Sequence, residues 1–142
     1  MKALRLNDPP EKIARGAAIG VFMGIFPTFG AGIILALAAA SLMRVNRAAA
    51  ALGSLVMNPF TAPFFWALSV FIGSVLMGED SRRILEKVRN EGLFRGFGRA
   101  YLVFTVGNVI VSGVFAAGTY IFTRWAVTRY RRLRAAKKNA KV

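Results

Sequence analysis

The sequence predicts an all-α integral membrane protein built on broken, re-entrant helices, and three observations carry that prediction. Three long runs hold no charged side chain: Gly16–Met43, Ala48–Gly78 and Ala100–Thr123, of 28, 31 and 24 residues. About 18 apolar residues are enough for a membrane-spanning helix. The first two runs are interrupted at Pro27 and Pro59. Proline lacks the N–H and clashes with the preceding turn, so a helix does not pass through it undisturbed. Finally, 20 Lys and Arg stand against 6 Asp and Glu, a net charge of +14, all of it between and beyond the runs. That is the pattern of positive-inside topology and attraction to anionic lipid. Nucleic acid, the other reading of such a charge, is not an expected partner.

At 142 residues a single membrane domain is expected. An apolar fraction of 56% and a mean hydropathy of +0.50 agree with it. The chain has no Cys and no His, which removes disulfides, thiolate catalysis and the usual zinc sites. No metal and no cofactor are expected.

Residues 1–15 form a basic lead with Lys2, Arg5, Lys12 and Arg15. Asp8, Pro9 and Glu11 read as a helix start, with Asp8 as cap and Pro9 in the first turn. Two prolines, two acids and an over-long apolar run argue against a cleaved signal peptide. The broken run 16–43 opens with Gly16, Gly20 and Gly24. A spacing of four puts all three on one helix face, where they let backbones approach in lipid. They are read as a packing surface toward another segment or a second copy of the chain.

The run breaks at Pro27–Gly30. The legs on either side, 11 and 13 residues, are about 16 and 20 Å of helix. Each is roughly half of a ~30 Å hydrocarbon core. A re-entrant hairpin therefore fits better than one long tilted span. Arg44 and Arg47 make a short basic turn. The broken run 48–78 divides at Asn58-Pro59 into a short leg and a 19-residue leg of about 28 Å, so this run crosses with a bend. Asn58 and Pro59 suit the cap and the first position of the second half-helix.

Residues 79–99 mix six basic and four acidic residues and read as an interfacial amphipathic helix. The run 100–123 has no proline and reads as a plain transmembrane helix. Tyr120, Phe122, Trp125 and Tyr130 form an aromatic belt at its far end. The tail, 124–142, holds eight Lys and Arg and no acid. Arg131, Arg132, Arg134, Lys137 and Lys138 are its expected contacts with anionic lipid.

Counting charge orients the chain. Three plain crossings place ten basic residues on each side, which favours no orientation. A re-entrant first run and two full crossings place 14 with the termini and 6 opposite. The second arrangement obeys the positive-inside rule, so both termini are expected in the cytoplasm.

No Asp, Glu, Lys, Arg or His lies in any run, which argues against ion-coupled transport by carboxylates. Hydroxyls at Ser54, Thr61 and Ser69 have no His or intramembrane acid to activate them, so no catalytic residue and no enzyme activity is expected. What remains is backbone, since a break at membrane depth leaves N–H and C=O groups that lipid does not satisfy. Half-helices starting near Thr28 and at Pro59 aim their positive ends at the breaks, which favours anions. Thr28, Asn58 and Thr61, with Arg15, Arg44 and Arg47 at the rim, are the candidate headgroup or cavity site. The alternative is that Asn58 and Thr61 cap their own helix and Thr28 closes its own turn.

Four stretches carry a resemblance: Pro10-Glu11-Lys12-Ile13-Ala14, Gly20 through Gly30, Arg44-Val45-Asn46 and Asn58-Pro59-Phe60-Thr61. With the last crossing, the chain resembles a family of small bacterial membrane proteins catalogued as a domain of unknown function (number two thousand and sixty-two). The resemblance implies a compact multi-pass protein of the bacterial inner membrane. Some relatives are joined to glycosyltransferase-type domains, which implies envelope or lipid-linked sugar work. It supplies no catalytic residues to transfer. Two functional expectations follow. One is a non-enzymatic protein that transports or facilitates an anionic lipid or lipid-linked envelope intermediate at the breaks. The other is a scaffold or anchor for an envelope enzyme such as a glycosyltransferase. Anionic membrane lipids, a second copy of the chain and such an enzyme are the expected partners.

Overall fold

The computed structural model describes residues 8–28, 30–80, 82–83 and 93–139, with backbone alone at 93–97 and 138–139. Among the described residues the helices are, in order, α1 Pro10–Ile25, α2 Gly32–Leu42, α3 Arg47–Ser54, α4 Ala62–Met77 and α5 Leu93–Asn139. The described residues are all-α, with no strand among them.

Each break has a local cause. α1 ends at Phe26, whose ψ of 141° is the extended conformation forced on a residue before proline. Gly30, at φ 93°, takes a backbone region that a side chain disfavours, and the chain reverses into α2. Between α3 and α4 the helix tightens, as Leu55 and Val56 donate N–H to Leu52 and Gly53 three residues back. Asn58-Pro59 then stops it. Gly78 ends α4 in the left-handed region, the usual glycine role at a helix C-terminus.

Helix directions follow from the contacts. Gly16, Gly20 and Gly24 of α1 face Asn46, Ala50 and Ser54, so α1 and α3 run parallel. Gly32 lies against Met23, and Asn46 N donates to Lys12 O at 3.2 Å. α2 therefore returns along α1, and α1–α2 is a helical hairpin. Gly73 faces Val103 and Gly107 faces Ser69, which makes α4 and α5 antiparallel. Asn108 bonds Ile25 O and Arg131 bonds Asp8 O, so α1 and α5 are antiparallel too. The first half of α5 thus packs on α4 and its second half on α1. The path α3–break–α4 continues past the tip of the hairpin.

The core is made of small side chains. Ala14, Ala36, Ala40 and Ala50 are fully buried, around close glycine contacts. One larger cluster joins Val21, Ile25, Phe65 and Val111, with Val56 and Met57 packed against it. The outside carries the bulk: Phe60 is 94% exposed, Leu42 86% and Leu52 71%. Among the described residues one helix segment, Gly98–Lys137, is long and apolar enough to cross a membrane by length and composition, while α2 and α4 are shorter apolar helices.

Several sequence expectations need correction. Asp8 does not cap α1: Pro9 holds that position without a side-chain bond. Asp8 instead accepts from Asn46 Nδ2 at 2.8 Å. α2 starts at Gly32 rather than near Thr28, and α4 starts at Ala62 with Thr61 as cap residue, so Pro59 sits in a turn and Pro63 takes the first helical turn. The third run is not a separate helix. α5 begins at Leu93 and continues to Asn139, because no proline interrupts it and Arg, Lys and Ala favour helix. Most of the expected interfacial helix at 79–99 lies outside the described residues, at Ser81, at 84–92 and at the side chains of 93–97.

Candidate functional site

The second break closes on itself. Asn58 Oδ1 accepts from the N–H groups of Phe60 at 3.0 Å and Thr61 at 3.2 Å. Asn58 N donates to Thr61 Oγ1 at 3.0 Å, and the Thr61 hydroxyl donates to Val56 O. The orphan groups of a broken helix are thereby satisfied within one turn, as capping side chains do. At the first break Thr28 Oγ1 donates to Met23 O at 3.5 Å, while Pro27 and Gly30 shape the turn. These bonds close the Asn58–Thr61 turn ahead of α4, whose cap residue Thr61 makes no side-chain bond to the helix. What the two breaks share is the apolar cluster of Ile25, Val56 and Met57.

The rim arginines belong to the other end. Arg15 pairs with Glu11 one turn back, and Arg15 is ten residues from the end of α1, about 15 Å along the axis. Arg47 opens α3, exposed, beside Asn46, whose Oδ1 caps the helix through Ala49 N at 2.8 Å. Arg44 is exposed in the left-handed region at φ 55°. The structure therefore separates Arg15, Arg44 and Arg47 from Thr28, Asn58 and Thr61, and the expected single site divides in two.

The basic end is knit by polar bonds. Asp8 joins the α2–α3 turn through Asn46 and the tail of α5 through Arg131, whose Nη2 donates to Asp8 O at 2.6 Å. Arg132, Arg134 and Lys137 are exposed on the same helix. The side chain of Lys138 lies outside the described residues.

Sequence reasoning missed the buried polar centre. Asn108 is fully buried on α5. Its Nδ2 donates to Ile25 O at 3.1 Å and to Ser69 Oγ at 3.2 Å, and Ser69 donates onward to Phe65 O at 2.7 Å. One amide thus holds the end of α1, the middle of α4 and α5 together at the level of the break. Its Oδ1 and the Thr105 hydroxyl have no partner among the described residues. The available signal was that Asn108 is the one amide in the uncharged third run. Gly53, Gly73 and Gly107, which complete the close helix contacts, were also missed.

No group of three or more potential metal-ligating side chains occurs among the described residues. No curated protein and no solved structure matches the chain. The family described as "Uncharacterized protein conserved in bacteria (DUF2062)" matches residues 1–136. With the four motif stretches and both breaks inside that match, the chain belongs to this bacterial family.

Proposed function

We propose that this is a non-enzymatic, multi-pass protein of the bacterial inner membrane that serves as a scaffold or anchor for an envelope-biogenesis enzyme, with its basic end held against anionic lipid. The observation that carries the membrane part of the reading is the inverted burial. Ala14, Ala36, Ala40, Ala50, Ser69 and Ser112 are buried, while Ile34, Leu42, Phe60, Phe64, Trp66 and Phe71 are more than half exposed. In water such a surface is an aggregation liability. In lipid it is the expected arrangement, because association rests on close packing of small residues. The hydroxyls of Ser54, Thr61 and Ser69 bond backbone carbonyls, which supports a role without nucleophilic chemistry.

A second reading draws on one observation. The unpartnered Oδ1 of Asn108 and Oγ1 of Thr105 place polar atoms in the core at the level of the break. A facilitator that moves an anionic lipid or lipid-linked intermediate past the breaks would use them. One experiment separates the two. The purified protein is placed in proteoliposomes and movement of fluorescent anionic lipid is followed, while site-specific photo-crosslinkers on the exposed face of α2 are tested in cells. The scaffold reading expects no lipid movement above empty vesicles and one stoichiometric envelope enzyme in the crosslinks. Rapid lipid movement that Asn108→Ala abolishes would replace it with the facilitator.

A further inference from the structure

We propose that the flank of α5 between Tyr120 and Arg132 is a binding site for the phosphate headgroup of an anionic glycerophospholipid. The proposal rests on the membrane reading above. A cleft of about 400 Å³ lies on this flank, lined by Tyr120, Ile121, Arg124, Trp125, Arg129 and Arg132 among others. Its position along the helix sets its depth. Ala100–Thr123 is uncharged over 24 residues, about 36 Å of helix, which covers a ~30 Å hydrocarbon core. Arg124 is the first charge beyond it, and Tyr120 and Trp125 straddle that boundary, where amphipathic rings settle at headgroup level. Arg131, about two turns beyond Arg124, meets Asp8.

Charge fixes the occupant. The cleft presents three guanidinium groups and no acid, and no carboxylate among the described residues pairs with Arg124, Arg129 or Arg132. Arg124 Nη1 donates to the Tyr120 hydroxyl at 3.4 Å, which holds that guanidinium toward the cleft. Planar arginine forks match phosphate oxygens in pairs. Trp125 and Ile121 are 63% and 67% exposed and offer apolar surface to the glycerol and upper acyl chain of the same lipid. A free phosphate would use the arginines and leave that surface uncovered.

The test uses the full-length protein in detergent and native mass spectrometry with phosphatidylglycerol or phosphatidylcholine. The cleft variant is R124Q/R129Q/R132Q and the control is R82Q/R83Q, exposed arginines at the opposite end of the molecule. A Trp66→Phe protein, in which Trp125 is the remaining tryptophan, reads the site independently through quenching by brominated phosphatidylglycerol. The expected result is retention of phosphatidylglycerol over phosphatidylcholine, lost in the cleft variant and kept in the control. At roughly fivefold per arginine, the three together weaken binding about a hundredfold. Equal retention of the two lipids, equal loss in both variants, or displacement by millimolar inorganic phosphate would overturn the proposal. Loss of the wild-type protein from carbonate-washed membranes would refute the membrane reading itself and is scored separately.

Discussion

Asn108 joins three helices through one buried side chain. It is fully buried and donates twice from one nitrogen, to Ile25 O and to Ser69 Oγ. Replacing it with Ala leaves the last carbonyl of α1 without this donor, and a buried group left unpaired costs about 1–3 kcal/mol. Asn108→Ala should lower unfolding stability in detergent by that amount. Ser69→Ala keeps the bond to Ile25 and should cost less. An Asn108→Ala protein that unfolds at the wild-type midpoint would show the bond to be immaterial. Asn58 was legible in the sequence because Pro59 follows it and the pair has a known backbone consequence. Asn108 was not, because a lone amide in a continuous apolar helix leaves the hydrophobic pattern unchanged and its partners lie 39 and 83 residues away.

Between helices, the glycines divide by what they face. A side chain at Gly24 would meet Ser54 O at 2.7 Å, and Gly20 and Gly107 are tighter still, against the backbone of Ala50 and Ser69. Backbone does not step aside as a flexible side chain does, so Gly20→Ala and Gly107→Ala should each destabilise by about 1–3 kcal/mol or more. Gly113 and Gly118 have nothing within 4 Å of the added carbon. Because Ala is the better helix former, Gly118→Ala should be neutral or stabilising by about 0.5–1 kcal/mol. Thermal unfolding of the set in one detergent checks the signs, and a destabilising Gly118→Ala would point to a contact made by a second copy. The stripe on α1 was readable from its spacing of four. Its counterpart on α3 was not, since an eight-residue helix with a single Gly53 has no glycine periodicity. The extent of α5 was hidden for a different reason. The change from apolar to basic sequence at Arg124 marks a change of surroundings, and the backbone hydrogen bonds continue through it undisturbed.

At the scale of the whole molecule, the fold-back of α2 on α1 was legible from the turn residues Pro27–Gly30 between two apolar legs, while α1 is longer than its expected leg, 16 residues from Pro10 to Ile25. The α1–α2 hairpin brings the chain back to its starting end, where Asn46 meets Asp8 and Lys12. The path α3–break–α4 then leaves that end, and α5 returns to it at Arg131. The opposite end is marked by the Glu79–Arg99 ion pair. Arg47 and Lys137 therefore belong to one end of the molecule and Asp80 to the other. On the proposed membrane reading, the positive-inside rule expects that end, with Lys12, Arg15, Arg44, Arg47 and the basic tail, in the cytoplasm. The natural absence of cysteine makes a direct test simple. Arg47→Cys, Lys137→Cys and Asp80→Cys, all at exposed positions, are labelled with an impermeant maleimide in right-side-out and inside-out vesicles. Arg47→Cys and Lys137→Cys should react in inside-out vesicles and Asp80→Cys in right-side-out ones. Lys137→Cys shares the face of Arg47→Cys in either topology, so the first run is tested by Lys12→Cys, also exposed: labelling of Lys12→Cys and Arg47→Cys from opposite faces would make the first run a full crossing. The bonds that Asp8 makes to Asn46 and to Arg131 oppose that outcome, because they tie the start of α1, the start of α3 and the tail of α5 to a single face.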